Sequence, residues 1–117
     1  MFTNFYHKNK YNNKKIILDD IIFDSQKEAK RYAVLKILLR GGEIEDLKLQ
    51  PEFILQESFV KNGKKFRPIT YKADFQYYSV KENKIVVEDV KGIETEVFKI
   101  KRKLFEHKFP DFELTLI

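Results

Sequence analysis

Two segments rich in β-branched and aromatic residues, joined by a short polar turn, limit what this chain can fold into. Residues Ile69–Tyr78 and Lys84–Val90 are composed largely of side chains that favour strands. Lys81-Glu82-Asn83 between them is typical of a turn. The pattern predicts an antiparallel hairpin, so the fold has to contain a sheet built around these two strands.

Asp74 and Asp89 lie inside these apolar strands, where acidic residues are uncommon. Opposed residues of an antiparallel pair share a face, and successive residues alternate between faces. A two-residue turn at Glu82-Asn83 sets Asp74 opposite Lys91, and a turn one residue earlier sets it opposite Asp89. Either register puts Asp74, Asp89 and Lys91 on one face and Glu88 on the other. An odd-length loop or a bulge would separate them.

A carboxylate pair of this kind indicates a cation site. Two neighbouring carboxylates repel each other, so one is protonated unless a cation neutralises them. Mg²⁺ prefers hard oxygen ligands and accepts one or two carboxylates together with water and phosphate oxygens, and Mn²⁺ is the alternative metal. Beside it, Lys91 would position the attacking water or stabilise charge on a phosphodiester. The other interpretation is a charged surface whose cross-strand pairs contribute about 0.2–1 kcal/mol each.

The segment over 26–40 predicts a helix. Its apolar residues recur at helical intervals, and Gly41-Gly42 marks its end. Ser25 and Glu28 have the spacing of a capping box, in which Glu28 serves only the helix terminus.

A second helix is predicted over 95–107 by a different apolar pattern. Val97, Ile100 and Leu104 fall on one side of it, which predicts that this side is buried. Pro110 closes the segment.

The remaining segments predict strands. Apolar residues flank an acidic turn within 16–23, as in a small hairpin, and 47–59 reads as one extended strand bulged at Pro51. Residues 112–117 add a final strand. The order is hairpin, helix, three strands, helix and strand, which predicts an α/β (α+β) domain with a central mixed sheet flanked by helices.

Length and composition limit the number of domains and the kinds of site that the chain can contain. A chain of 117 residues, 43% of them hydrophobic, suits one globular domain, which we expect over 16–117. With no cysteine and two histidines, disulfides and the usual zinc sites are not expected. The sequence lacks an apolar run of membrane-spanning length and a signal peptide, so a cytoplasmic protein is expected.

The net charge of +5 is unevenly distributed. Residues 1–15 carry four lysines and no acid, which predicts a loosely held basic arm. Two further basic clusters lie in the acid-free stretch before Asp74 and on the polar side of the last helix. These clusters suit DNA phosphates, and the alternative is a solvated surface. The candidate DNA-binding residues are Lys64, Lys65, Arg67, Lys72, Lys99, Arg102 and Lys103.

The order of these motifs resembles the PD-(D/E)XK nuclease superfamily. Ala73-Asp74 matches the first motif with Ala in place of Pro, and Asp89-Val90-Lys91-Gly92 matches the last. A wider set over residues 11–117 resembles an uncharacterised phage family of that superfamily, similar to Holliday-junction resolvases. Asp20 departs from it, where a turn Gly is expected. The wider set is Phe23-Asp24-Ser25, Glu28-Ala29, Arg31-Tyr32, Leu49-Gln50-Pro51, Ala73-Asp74-Phe75 and Glu88-Asp89-Val90-Lys91-Gly92.

The resemblance implies a metal-dependent endonuclease that acts on DNA, with branched DNA as the expected substrate. It implies Asp74, Asp89 and Glu28 as metal ligands and Lys91 as the catalytic lysine. A homodimer is expected, because symmetric cutting of two strands needs two centres. A phage protein of this kind would act in the cytoplasm of its bacterial host. The alternatives are a non-catalytic nucleic-acid-binding module and a phage protein-interaction factor.

Overall fold

The computed structural model of the chain describes residues 2–3, 15–90 and 93–117. Most of the predicted basic arm over 1–15 lies outside these residues, and so do Lys91 and Gly92. The chain divides into two units, Met1–Glu43 and Ile44–Ile117.

The first unit begins with a three-stranded antiparallel sheet. Its strands β1 (Phe2–Thr3), β2 (Ile16–Leu18) and β3 (Ile21–Phe23) lie in the order β1-β2-β3. Asp19 and Asp20 join β2 to β3 with φ angles of 53° and 63°. A tight hairpin turn of this hand requires positive φ, which Asp tolerates better than most residues. The hairpin predicted over 16–23 is therefore confirmed, without the glycine expected at Asp20.

Helix α1 (Gln26–Arg40) follows and confirms the first predicted helix. The Ser25 hydroxyl accepts a hydrogen bond from the Glu28 amide at 3.1 Å, so Ser25 is the N-cap. The Tyr32 ring packs against Phe23 with centroids 5.0 Å apart, which anchors the helix on β3. The buried residues of α1 are Glu28, Ala29, Tyr32 and Leu35.

The second unit contains eight strands and one helix among its described residues. They are β4 (Ile44–Leu49), β5 (Glu52–Gln56), β6 (Phe59–Lys61), β7 (Lys64–Phe66), β8 (Ile69–Lys72), β9 (Phe75–Ser79), β10 (Lys84–Asp89), α2 (Glu96–Lys108) and β11 (Phe112–Leu116). The main sheet has the order β11-β10-β9-β4, while β5 pairs with β8 and β6 with β7. Strands β10 and β11 are parallel and the other pairs are antiparallel, so the predicted mixed sheet and α+β class are confirmed.

The strands predicted over 47–59 and 69–78 are not continuous. The first breaks at Gln50-Pro51 and again at Glu57-Ser58, and the second breaks at Ala73-Asp74. The breaks at Gln50-Pro51 and Ala73-Asp74 lie side by side. The Gln50 amide donates to the Asp74 carbonyl at 2.9 Å, and the Ala73 amide donates to the Pro51 carbonyl at 3.1 Å. Gln50 has a φ of 50° and proline lacks an amide hydrogen, so the ladder cannot run straight through this point. Asp74 consequently lies at a bend between two sheets.

Helix α2 buries a different side from the one predicted. Thr95 is its N-cap, accepting a hydrogen bond from the Phe98 amide at 3.1 Å. Phe98 and Phe105 are buried, whereas Val97 and Ile100 are 62% and 61% exposed. The prediction that Val97, Ile100 and Leu104 form the buried side is therefore wrong. Aromatic rings bury more apolar surface than these aliphatic side chains, so the two phenylalanines determine the helix rotation.

The core between α2 and the sheets is largely aromatic. Phe105 lies 5.0 Å from Phe53 and 5.7 Å from Tyr71 between ring centroids. Because Tyr71 is part of this core, its hydroxyl is held in a fixed position. The buried cluster consists of Phe53, Leu55, Tyr71, Ala73, Val87, Phe98, Phe105 and Leu114.

Candidate metal and nuclease centre

Asp74 lies where the β9–β10 ladder ends. Ser79 pairs with Lys84 and Phe75 with Glu88, a register that would set Asp74 opposite Asp89 if it ran on past its last pair, Phe75 and Glu88. This is the second of the two registers that the sequence left open. The Asp74 amide instead donates to the Glu88 carbonyl at 3.0 Å, so the ladder slips by one residue here and Asp74 does not pair directly with Asp89. The bulge that would interrupt the predicted pairing is therefore present. The Asp74 carboxylate accepts from the Val90 amide at 2.6 Å through Oδ2, and this holds the carboxylate against the end of β10.

Asp89 is the last residue of β10 and is only 3% exposed. Its Oδ2 accepts a hydrogen bond from the Tyr71 hydroxyl. Its carbonyl accepts from the Ile117 amide at 3.0 Å, which ties it to the end of β11. A buried carboxylate costs free energy unless it is hydrogen-bonded, and Tyr71 supplies one of those bonds.

The Tyr71 hydroxyl is influenced by both carboxylates. Burial raises the pKa of Tyr71, and the hydrogen bond to Asp89 raises it further. The negative charges of Asp89 and Asp74 act in the same direction, whereas the positive charge of Arg102 lowers this pKa. Tyr71 therefore remains a protonated donor at neutral pH. The bond from the Val90 amide to Asp74 places the two aspartates at the same end of β10, because Val90 directly follows Asp89.

Glu88 points to the other face of the sheet, as the alternation of β10 predicts. It is buried, and its Oε2 accepts from the Tyr77 hydroxyl at 2.5 Å. The sequence interpretation did not single out this pair. A signal for it was present, because the register places Tyr77 two residues along β9 from Phe75, the partner of Glu88.

Comparison with protein families gives a match over most of the chain. The family model described as "Protein of unknown function (DUF1064)" matches residues 8–117. The chain belongs to this family. No curated protein matches this DUF1064 chain, and no solved structure matches it either. The helices that the structure describes in it, α1 and α2, are not long and apolar enough to cross a membrane.

The other two predicted catalytic residues of the DUF1064 chain are Glu28, in the first unit, and Lys91, outside the described residues. Glu28 belongs to the first unit, where it is buried on α1 and its amide is capped by Ser25. Lys91 directly follows Val90 in the sequence and lies outside the described residues. The role of Glu28 as a metal ligand and that of Lys91 stay predictions.

The predicted DNA-binding residues fall into three groups. Lys64 and Lys65 are exposed on β7 and Arg67 follows them, so these three lie together. Lys72 is exposed on β8 with Glu52 as its register partner.

On α2, Lys99 and Lys103 are exposed, and Lys99 lies 3.4 Å from a Glu96 oxygen. Arg102 was expected on the polar side of α2 beside these lysines. It is instead half-buried, because the helix turns the side that carries Phe98 and Phe105 toward the core. The charge of Arg102 therefore acts on Tyr71 as well as on Glu106, to which it lies 3.7 Å away.

The two carboxylates at the end of β10 are donors of the type that a hard divalent cation prefers. Among the residues the structure describes, no group of three or more His, Cys, Asp or Glu side chains could hold a metal. Mg²⁺ accepts one or two carboxylates and completes its shell with water and substrate oxygens, so Asp74 and Asp89 meet its minimum. Each carboxylate has about four lone-pair positions, so the bonds from Val90 and Tyr71 are compatible with a metal contact.

Proposed function

We propose that this DUF1064 protein is a metal-dependent endonuclease that acts on DNA. The observation that carries the proposal is the position of two carboxylates at the end of β10, where Asp89 is buried and Asp74 accepts from the amide of the next residue, Val90. Acidic side chains have no favourable place in an apolar sheet unless a cation or hydrogen bonds compensate them. In a cation-dependent reaction, Asp74 and Asp89 would both serve as ligands of the cation.

Asp74 and Asp89 would hold the cation, with Glu28 as the further ligand that the resemblance to PD-(D/E)XK nucleases implies. When bound, a divalent cation supplies Lewis-acid stabilisation of phosphate charge and a more acidic water. Tyr71 and the Val90 amide fix one oxygen of each aspartate, which orients the remaining carboxylate surface before a substrate arrives. Lys91 is assigned to positioning the attacking water, again by the resemblance.

DNA is supported as the substrate by the distribution of positive charge. Residues 58–73, which lead directly to Asp74, carry five cationic residues and no acid. Positive side chains beside a cleavage centre hold the phosphate backbone and release its counterions.

The resemblance to Holliday-junction resolvases adds two further parts to the proposal. The substrate is branched DNA, and a two-fold homodimer cleaves it. Sedimentation velocity should give twice the mass of one chain. A monomer at every concentration would contradict symmetric cleavage by a homodimer.

The test is a cleavage assay on matched labelled DNAs. Four-way junction, flap, duplex and single-stranded substrates of equal length are incubated with the protein in Mg²⁺, in Mn²⁺ or in EDTA. We expect cuts in the branched substrates that require the metal and disappear in Asp89→Asn. Cleavage that Asp89→Asn retains in full would overturn the site. Binding without cleavage under both metals would favour a non-catalytic nucleic-acid-binding module instead.

A further inference from the structure

The β6–β7 hairpin presents an aromatic surface that the candidate centre does not use. Residues 56–68 are all exposed. Within them Phe59 and Phe66 stack on each other, with centroids 4.8 Å apart and rings inclined by 11°. The two side chains remain 43% and 37% exposed. An exposed apolar patch that is rimmed by polar side chains is typical of a binding surface.

The register of the hairpin determines what accompanies this aromatic pair. Phe59 pairs with Phe66 and Lys61 pairs with Lys64, so these four side chains share one face. The Lys64 ammonium lies 5.1 Å from the Phe66 ring centroid. Val60 and Lys65 occupy the opposite face. We call the side formed by Phe59, Lys61, Lys64 and Phe66 the hairpin face.

A two-residue turn connects the two strands of the hairpin. Asn62 and Gly63 connect the strands with φ angles of 52° and 73°, as a two-residue hairpin turn requires. This turn brings Lys61 and Lys64 directly opposite each other, although two like charges in that position destabilise a hairpin. The chain therefore maintains a local charge repulsion at the tip.

Among the described residues, no carboxylate compensates the positive charge of the hairpin face. Within the described part of the chain, Lys61, Lys64 and Lys65 form no ion pair with a carboxylate. A polyanion would relieve the repulsion between Lys61 and Lys64 and cover the adjacent rings. The acid-free stretch 58–73 contains Lys61, Lys64, Lys65, Arg67 and Lys72.

We propose that the hairpin face binds unpaired bases of DNA, with the rings of Phe59 and Phe66 as a stacking platform and the lysines on the flanking phosphates. This inference rests on the proposed function for DNA as the partner and narrows the substrate to DNA that has unpaired bases near the cut. Bases stack on aromatic side chains whatever their sequence, whereas bases within a continuous duplex are already stacked on each other. Lysine ammonium groups contact the phosphates on either side.

Chain geometry sets how far the platform lies from the proposed centre. Phe66 and Asp74 are eight residues apart, and β8 lies between them. At about 3.3 Å per residue the two positions are at most about 26 Å apart. A duplex rises about 3.4 Å per base pair, so this distance corresponds to at most about eight base pairs between the unpaired bases and the scissile phosphate.

The test measures binding alone, in EDTA, so that it does not depend on cleavage. Fluorescence anisotropy titrations compare a continuous duplex with the same duplex carrying a central bubble of unpaired bases. The variants are Phe66→Ala, Phe66→Tyr, which keeps the ring, and Val60→Ala, which truncates an exposed side chain on the opposite face of the same hairpin.

We expect the wild type and Val60→Ala to bind the bubble more tightly than the duplex. Phe66→Ala should weaken bubble binding by about 5- to 100-fold with little change for the duplex, and Phe66→Tyr should restore it. Equal affinities of the wild type and Phe66→Ala for the bubble would overturn the inference while leaving the nuclease proposal intact. Loss of bubble binding in Phe66→Ala, together with no cleavage by the wild type, would support the platform and reject the nuclease. An absence of binding to either DNA would also overturn the inference and point to a protein partner for the hairpin face.

Discussion

The Tyr71 hydroxyl donates a hydrogen bond to the Asp89 carboxylate, and both groups are buried at the end of the main sheet. Tyr71 belongs to the aromatic core under α2, with its ring 5.7 Å from that of Phe105. The core therefore positions the hydroxyl, and the hydroxyl positions the carboxylate. This hydrogen bond therefore links the packing of the aromatic core to the position of a proposed metal ligand.

Removing the Tyr71 hydroxyl should destabilise the fold. In Tyr71→Phe the buried Asp89 carboxylate loses a donor, and a polar group deprived of its partner costs about 1–3 kcal/mol. We expect the free energy of unfolding at neutral pH to fall by that amount in urea titrations. Tyr78→Phe is the matched control, because the Tyr78 hydroxyl bonds to Asn83 at an exposed position and should change stability by less than about 0.5 kcal/mol. Equal losses in the two variants would contradict this account.

Alkaline pH should destabilise the wild type more than Tyr71→Phe. The pKa of Tyr71 is raised above its ordinary value of 10.0 in the folded chain, chiefly by burial and by the bond to Asp89. Above about pH 10 the unfolded chain therefore binds fewer protons than the native one, and stability falls as pH rises. The urea midpoint should drop between about pH 9 and about pH 11, with a smaller drop in Tyr71→Phe. Parallel drops in both proteins would show that other groups cause the effect.

The buried side of α2 can be tested with two truncations. Phe105→Ala removes a ring from the centre of the aromatic cluster and should cost about 3–5 kcal/mol. Ile100→Ala shortens a side chain that is mostly in solvent and should stay within about 0.5 kcal/mol of the wild type. Thermal and urea unfolding measure both. A larger loss for Ile100→Ala than for Phe105→Ala would restore the side predicted from the sequence.

Local sequence signals predicted the elements whose residues decide their own conformation. Ser25 and Gly41 cap the two ends of the first helix, and Asp19 and Asp20 form the turn of the N-terminal hairpin without a glycine. The β-branched run before Asp89 forms the predicted strand β10. In each case the spacing of a few neighbouring residues carries the information.

Other features depend on contacts between distant segments, and the sequence pattern did not predict them. The breaks at Gln50-Pro51 and Ala73-Asp74 stabilise each other through two backbone hydrogen bonds, between residues 24 and 22 positions apart. The rotation of α2 is decided by competition between aromatic and aliphatic side chains for one core. The sequence predicted Asp74 and Asp89 as candidate site residues, because acids are uncommon in apolar strands. It did not predict Tyr71 as the hydrogen-bond partner of Asp89, because its position in the pattern is that of an ordinary core aromatic residue.

The central claim is that Asp74 belongs to a cation-dependent cleavage centre, and single-turnover cleavage of a branched DNA in Mg²⁺ tests it most directly. The comparison is between wild type, Asp74→Asn and Asp111→Asn, where Asp111 is an exposed aspartate in the turn before β11. Metal assistance is worth several kcal/mol of transition-state stabilisation, so Asp74→Asn should lower the rate by about 100-fold or more while Asp111→Asn stays within about twofold of the wild type. Equal rates for Asp74→Asn and Asp111→Asn, with both proteins folded, would contradict the account.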